Sequence, residues 1–180
     1  MYLLGRNYLK AGLLEAAESW FSKILILQNH HEEAWLGLIV TQETLFEEGQ
    51  KGAGKKLAAS YLEYLEKWPD NRSIRRDEAL FLIKTCEYEK AAKKLEALLA
   101  WDPANSGLRR ILAYSYRKLG NYRSAAVYLS ALLKEWPEDI RLLLEYCGCI
   151  ERAGSSTRAR MILEKAAFYF SQSSEIPTAL

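Results

Sequence analysis

The sequence predicts an all-α chain, a right-handed helical-repeat solenoid of five helix-turn-helix units. Three observations carry that reading. A segment returns at a fixed distance: Cys86-Glu-Tyr-Glu-Lys-Ala91, Leu95 and Trp101-Asp-Pro103 reappear 34 residues later as Gly120-Asn-Tyr-Arg-Ser-Ala125, Leu129 and Glu135-Trp136-Pro137. A period of this size marks stacked supersecondary units, each burying its apolar face against the next. Three of the four prolines, Pro69, Pro103 and Pro137, punctuate the repeat instead of interrupting its helical runs. Ala, Leu, Glu, Lys and Arg dominate the 180 residues, a composition that favours helix.

The units fall at about 1–31, 32–71, 72–105, 106–139 and 140–173, with a tail 174–180. The first predicts helices over about 2–11 and 14–28, with Gly12 in the turn. The second opens with Trp35-x-x-Leu38 and is long: Trp35 to Pro69 spans 34 residues where the register of the other units has 28. The six extra residues are expected between the two helices, near 47–54, as a longer first helix and a flexible loop around Gly49, Gly52 and Gly54, since glycine weakens a helix. Helices are expected over about 32–47 and 54–67. The third unit predicts helices over about 72–85 and 88–100, the first built on Ile74, Phe81 and Leu82. In the fourth, Leu108, Ile111, Leu112, Ser115 and Leu119 line one face before the Gly120-Asn121 turn and a helix over about 122–135. In the fifth, Gly154 and a serine cap precede a last helix over about 156–171, whose Leu163, Ala166, Ala167 and Phe170 form an apolar strip with no helix after it. That strip makes self-association through the C-terminal helix an expectation. The Ser-rich tail is expected to fray.

Leu4-Gly5-x-x-Tyr8, Gly12 and Ala17-x-x-x-Phe21 resemble the tetratricopeptide repeat family, whose signature joins W-x2-L-G-x2-Y, A-x3-F and a closing Pro at a period of 34. Trp35 and Leu38, Ala113 and Tyr116, and Tyr146-Cys147-x-x-Ile150 occupy the same register. The chain departs from the pattern at Ile39, which stands for the small Gly, and at Glu78, which stands for Leu. A carboxylate at that apolar position needs a partner, for which Arg75, Arg109 and Arg110 are candidates. The resemblance covers 1 to about 173 and implies a scaffold whose concave face holds a peptide or a partner's helix. Chaperone-binding members clamp a C-terminal carboxylate with lysine and asparagine. The positions that correspond to the asparagines are Arg6, Val40, Leu80, Tyr114 and Gly148, none of them Asn, which argues against that ligand.

Several function classes are disfavoured by composition. The net charge of +2 implies no general attraction to nucleic acid or anionic membrane, and no apolar run approaches a membrane span. Three cysteines argue against a disulfide framework. With no secretory signal at Met1-Tyr-Leu-Leu-Gly, they suggest a reducing, cytoplasmic compartment. Gly49-x-x-x-x-Gly54-Lys55-Lys56 has the spacing of a phosphate-binding loop, but Lys56 stands where a magnesium-binding Ser or Thr is needed and a helix precedes it. Adjacent His30 and His31 lack further ligands and are read as turn residues. No catalytic constellation stands out, so no enzyme, cofactor or metal site is expected. Trp68, Trp101 and Trp136 recur just before the prolines and are read as core packing.

The expected binding surface is the stripe of the first helices opposite their apolar face. It holds Arg76, Leu80, Ile83 and Lys84 in the third unit, Arg110, Tyr114, Arg117 and Lys118 in the fourth, and Leu144 and Arg152 in the fifth. Over all five units this stripe has nine basic and three acidic residues. The expected function is a non-enzymatic protein-protein interaction scaffold that binds an acidic or amphipathic segment with apolar anchors. The alternative is the partner- or substrate-positioning repeat region of a larger enzyme, secretion or motility assembly. Single-stranded RNA binding has one aromatic, Tyr114, where a stacking platform needs several.

Overall fold

The computed structural model describes the backbone of residues 1–173 and side chains through Phe168; the tail 174–180 and the Phe170 side chain lie outside the described residues. The described residues form ten α-helices and no strand. In order these are α1 (Tyr2–Lys10), α2 (Leu14–Leu27), α3 (Glu32–Glu47), α4 (Ala53–Lys67), α5 (Arg72–Lys84), α6 (Tyr88–Trp101), α7 (Ser106–Lys118), α8 (Tyr122–Glu135), α9 (Ile140–Arg152) and α10 (Ser156–Ser173). They make five helix-turn-helix pairs. The chain divides into two compact units, Met1–Glu78 and Ala79–Leu180, with the division inside α5. In the first, α1 packs on α2 and α3, α2 on α3, and α3 on α4. In the second, α6 packs on α7, α7 on α8, α8 on α9 and α9 on α10. None of the described helices is long and apolar enough to cross a membrane.

Side chains set where the first helices begin. His31 Nδ1 accepts from the Ala34 amide (3.2 Å), and Asn71, Asn105 and Asp139 accept from Ile74 (3.2 Å), Leu108 (3.0 Å) and Leu142 (3.0 Å). Each satisfies an amide that has no carbonyl partner in the first turn. His31 is thus a turn residue, as its sequence context suggested. Left-handed residues set where the same helices stop. Gly12, Gly49, Cys86, Gly120 and Gly154 all have positive φ. The next amide bonds back in each case, Leu13 to Tyr8, Gln50 to Leu45, Glu87 to Leu82, Asn121 to Tyr116 and Ser155 to Ile150, at 2.8–2.9 Å. This is the Schellman closure, and Cys86 makes it without a glycine.

The long second unit is extended by a longer first helix and a longer turn, as expected. α3 has 16 residues where α7 has 13, the turn Glu48–Gly52 has five where Leu119–Asn121 has three, and α4 has 15 where α8 has 14. Half of the insertion is therefore helix α3. The turn itself is bonded, with the Ala53 amide on the Gln50 carbonyl (3.2 Å) and Gln50 Nε2 on Glu15 Oε1 (3.1 Å). Gly54 lies inside α4, and Lys56 Nζ sits 2.8 Å from Glu18 Oε2. The phosphate-loop spacing therefore belongs to the start of a helix that is preceded by another helix.

Three buried positions recur in the second helices, and the residues sharing one position are termed a column. Counted back from the helix ends, the first position holds Ala17 and Leu57 in the first unit and Ala91 and Ala125 in the second, the next Phe21 and Tyr61, then Leu95 and Leu129, and the third Ile24 and Tyr64, then Leu98 and Leu132. The first helices face them with small residues, among them Gly5, Ala79, Ala113 and Cys147, all buried. The Phe21 ring needs that space. A Cβ on Gly5 would lie 2.8 Å from Phe21 Cε1, and one on Gly37 would lie 2.5 Å from Cζ. Both hydroxyls of the tyrosine pair are bonded. Tyr61 donates to Glu43, while Tyr64 donates to Glu32 Oε1 (2.8 Å) and accepts from Asn71 Nδ2 (2.6 Å).

The recurring tryptophans are not core residues. Trp101 and Trp136 are each 43% exposed, and Trp68 is half-buried against Tyr64 (4.8 Å between centroids). All three sit at helix ends, where the chain leaves the packed columns. The buried indole is Trp35, which donates to the Asn29 carbonyl (2.8 Å) and lies under Lys67 Nζ (5.1 Å).

Candidate functional site

The expected stripe is at the surface, but it separates into clusters. Arg76 lies in the first unit and donates to Asp77 Oδ1 through Nε (3.2 Å) and Nη2 (3.0 Å). The other nine residues lie in the second unit. Leu80 and Ile83 are half-buried, and Ile83 packs against the core of Ala79, Leu95 and Leu112. Lys84 is exposed at the end of α5. Arg110 Nη2 reaches Asp139 Oδ2 (3.2 Å) beside Trp136 and Gly107, in a hollow of about 270 Å³. Tyr114 is 41% exposed; Lys118 Nζ lies 5.4 Å from its centroid, and Tyr88 meets it edge-on at 6.4 Å. The Tyr88 hydroxyl donates to Cys86 Sγ (3.5 Å), and this bond, with partial burial, pushes the phenol up to about 12.

Arg117, Leu144 and Arg152 do come together. α7 and α9 present them around a cleft of about 270 Å³, which Tyr122, Glu145, Gly148 and Cys149 also line. Arg117 Nη1 donates to Glu145 Oε2 at 2.7 Å. Arg152 Nη1 donates to the Tyr122 hydroxyl (3.2 Å), and its guanidinium lies 5.3 Å from that ring's centroid. Leu144 stands at the rim, 55% exposed. Cys149 is buried at the base, and burial holds its thiol above the usual range, outweighing the nearby arginines. Asp139 is held below the usual carboxylate range chiefly by the Leu142 amide it caps, with Arg110 adding to the effect. The Arg117–Glu145 pair is open to water, its side chains 39% and 46% exposed, and such a pair is worth only about 0.2–1 kcal/mol.

Sequence reasoning missed Asp139, Glu145 and Tyr122. Asp139 had a local signal, an acidic residue between Pro137 and a helical run, which reads as a cap. Glu145 and Tyr122 had none, since each lies off the stripe counted along a single helix. The basic stripe is therefore partly neutralised within the chain. Arg109 bonds Glu135, and its Nε donates to the Pro103 carbonyl (3.1 Å). Charge is nevertheless unequal along the sequence. Residues 1–78 contain 10 basic and 12 acidic residues, whereas residues 79–180 contain 15 and 11. Among the described residues no group of three His, Cys, Asp or Glu side chains is placed to hold a metal ion.

A tetratricopeptide repeat family model matches residues 13–171. None of the curated proteins matches the sequence. Solved structures do. A crystal structure of MamA protein is 16% identical with a TM-score of 0.72, over 98% of this chain and 93% of that one. The MamA MSR-1 structure is 20% identical, with a TM-score of 0.67 over 94% of each chain. A tetratricopeptide repeat protein from Parabacteroides merdae ATCC 43184 is 19% identical, with a TM-score of 0.63 over 93% of this chain and 63% of that one. At these identities the likeness is one of fold.

Proposed function

The chain belongs to the tetratricopeptide repeat family, and from that premise we propose that it is a non-enzymatic scaffold whose second unit binds an acidic, amphipathic segment of a partner protein across α7 and α9. The observation that carries this reading is the alternation of cations with exposed apolar groups on that surface: Arg110, Tyr114, Arg117 and Lys118 on α7, and Leu144 and Arg152 on α9. Arginine suits carboxylates because its planar fork donates two bonds at once. Exposed ion pairs contribute little each, so a micromolar complex, near −8 kcal/mol, takes most of its affinity from apolar burial around Tyr114 and Leu144. The charges then govern association rate and salt sensitivity.

The test begins with identification of the segment that the chain retains from a lysate, followed by titration against the native chain and Arg110→Glu/Arg117→Glu. Binding should weaken by about tenfold or more in the double variant and fall as salt rises. Affinity unchanged by both, with loss on altering the second-helix surface, would overturn the reading.

A further inference from the structure

We propose that the cleft between Arg117 and Arg152 is a socket for one acidic side chain of the partner segment, and that Glu145 stands in for that side chain while the partner is absent. The inference deepens the partner reading above and rests on it. Its starting point is Gly148. Glycine in a helix interior is unfavourable, and it is tolerated at Gly5 and Gly37 because the Phe21 ring occupies the space a side chain would take. Gly148 has no such reason, since a Cβ built there meets nothing within 4 Å. What the missing side chain leaves is the floor of the cleft.

Two guanidiniums face that space. Each carries five N–H donors. The bond to Glu145 Oε2 uses one donor of Arg117, and the bond to the Tyr122 hydroxyl uses one of Arg152. The lining therefore has two cations and one anion, and an entering carboxylate makes it neutral. Tyr122 fixes Arg152 from its face and through its hydroxyl, so that this fork is oriented before anything binds. The Arg117–Glu145 pair is water-exposed and exchanges readily, and Leu144 at the rim meets the methylenes or the neighbouring apolar residue of the incoming chain. A Glu or Asp side chain fits this description. A chain terminus offers the same carboxylate, and the experiment separates the two.

The probe is a fluorescein-labelled, C-terminally amidated octapeptide of alternating Leu and Glu; a second peptide replaces every Glu with Gln and keeps a free C-terminal carboxylate. Anisotropy titration should show the Glu peptide binding the native chain, and the Gln peptide at least about tenfold weaker. Gly148→Leu fills the floor and should weaken the Glu peptide by about tenfold with helix content unchanged. Glu145→Gln removes the internal competitor without touching packing and should tighten it several-fold. If both variants bind as the native chain does, while Arg110→Glu/Lys118→Glu loses binding, the socket is wrong and the partner reading stands. Tighter binding of the Gln peptide would mean that the cleft takes a chain terminus, and equal binding that the Glu side chains are not read; either would overturn the side-chain socket. Failure of the Glu peptide to bind the native chain at millimolar concentration would overturn both.

Discussion

The two units fill the same buried columns with different chemistry. In residues 79–180 the columns are Ala91, Ala125, Leu95, Leu129, Leu98 and Leu132, side chains that need nothing beyond space. In residues 1–78 they include Leu57, Phe21, Tyr61 and Tyr64, and each aromatic brings a requirement. Phe21 requires glycine on α1 and on α3; Tyr61 and Tyr64 require Glu43, Glu32 and Asn71 for their hydroxyls. A repeat fold thus accepts an aromatic core or an aliphatic one, but the aromatic one binds several distant sequence positions together. The regular unit is held by side chains that make no such demands, whereas the irregular unit has its specificity inside.

Truncating the columns sharpens this contrast most. Phe21→Ala should cost about 3–5 kcal/mol, because two helices converge on one ring, while Leu129→Ala should fall nearer the lower end of about 2–5 kcal/mol. Urea denaturation of both variants measures the difference, and equal losses would remove it. Adding one methyl gives opposite signs. Gly37→Ala drives a Cβ against Phe21 and should destabilise by about 1–3 kcal/mol, whereas Gly148→Ala meets open space and should stabilise by about 0.5–1 kcal/mol.

Hydroxyl removal comes next. Tyr64→Phe leaves Glu32 and Asn71 without their partner and should cost about 1–3 kcal/mol, while Tyr128→Phe in the second unit, whose ring stacks on Tyr116 at 6.0 Å, should stay within about 0.5 kcal/mol. The same residue predicts a pH window. Burial first, and the bond to Glu32 second, push Tyr64 up to about 12 from 10.0. The unfolded chain therefore loses this proton first, so stability is complete below pH 10 and declines as pH rises toward 12. Denaturation midpoints between those values should fall less steeply in Tyr64→Phe. The smallest effect is at Cys86: Cys86→Gly relieves a left-handed residue and should raise stability by up to about 1 kcal/mol, read as a shift in melting temperature.

Much of the fold could be read from the sequence because period, proline and turn residue coincide from Cys86 to Pro137. The second unit was legible too: helices expected over about 32–47 and 54–67 are observed as Glu32–Glu47 and Ala53–Lys67, because Gly49 and Gly52 mark the turn between them. Recurrence misled for Trp68, Trp101 and Trp136. A repeated position identifies register, and whether it is buried depends on where the helix ends. For the candidate site, exposure of Arg110, Tyr114, Arg117, Leu144 and Arg152 followed from helical phase. Their division into clusters did not, because Asp139, Glu145 and Tyr122 meet them from neighbouring helices at distances that no single-helix count contains.

Cys86 at its left-handed turn is exposed, while Cys147 and Cys149 are buried in α9 with their thiols raised by burial. A thiol reagent therefore finds one target in the native chain and three in the unfolded one. The rate at which the second and third react reports how often α9 comes away from its neighbours, without any label or substitution. A dye placed on the first would sit two residues from Tyr88, which leans on Tyr114, so the protein's own chemistry supplies both a stopwatch for its opening and an attachment point beside the proposed surface.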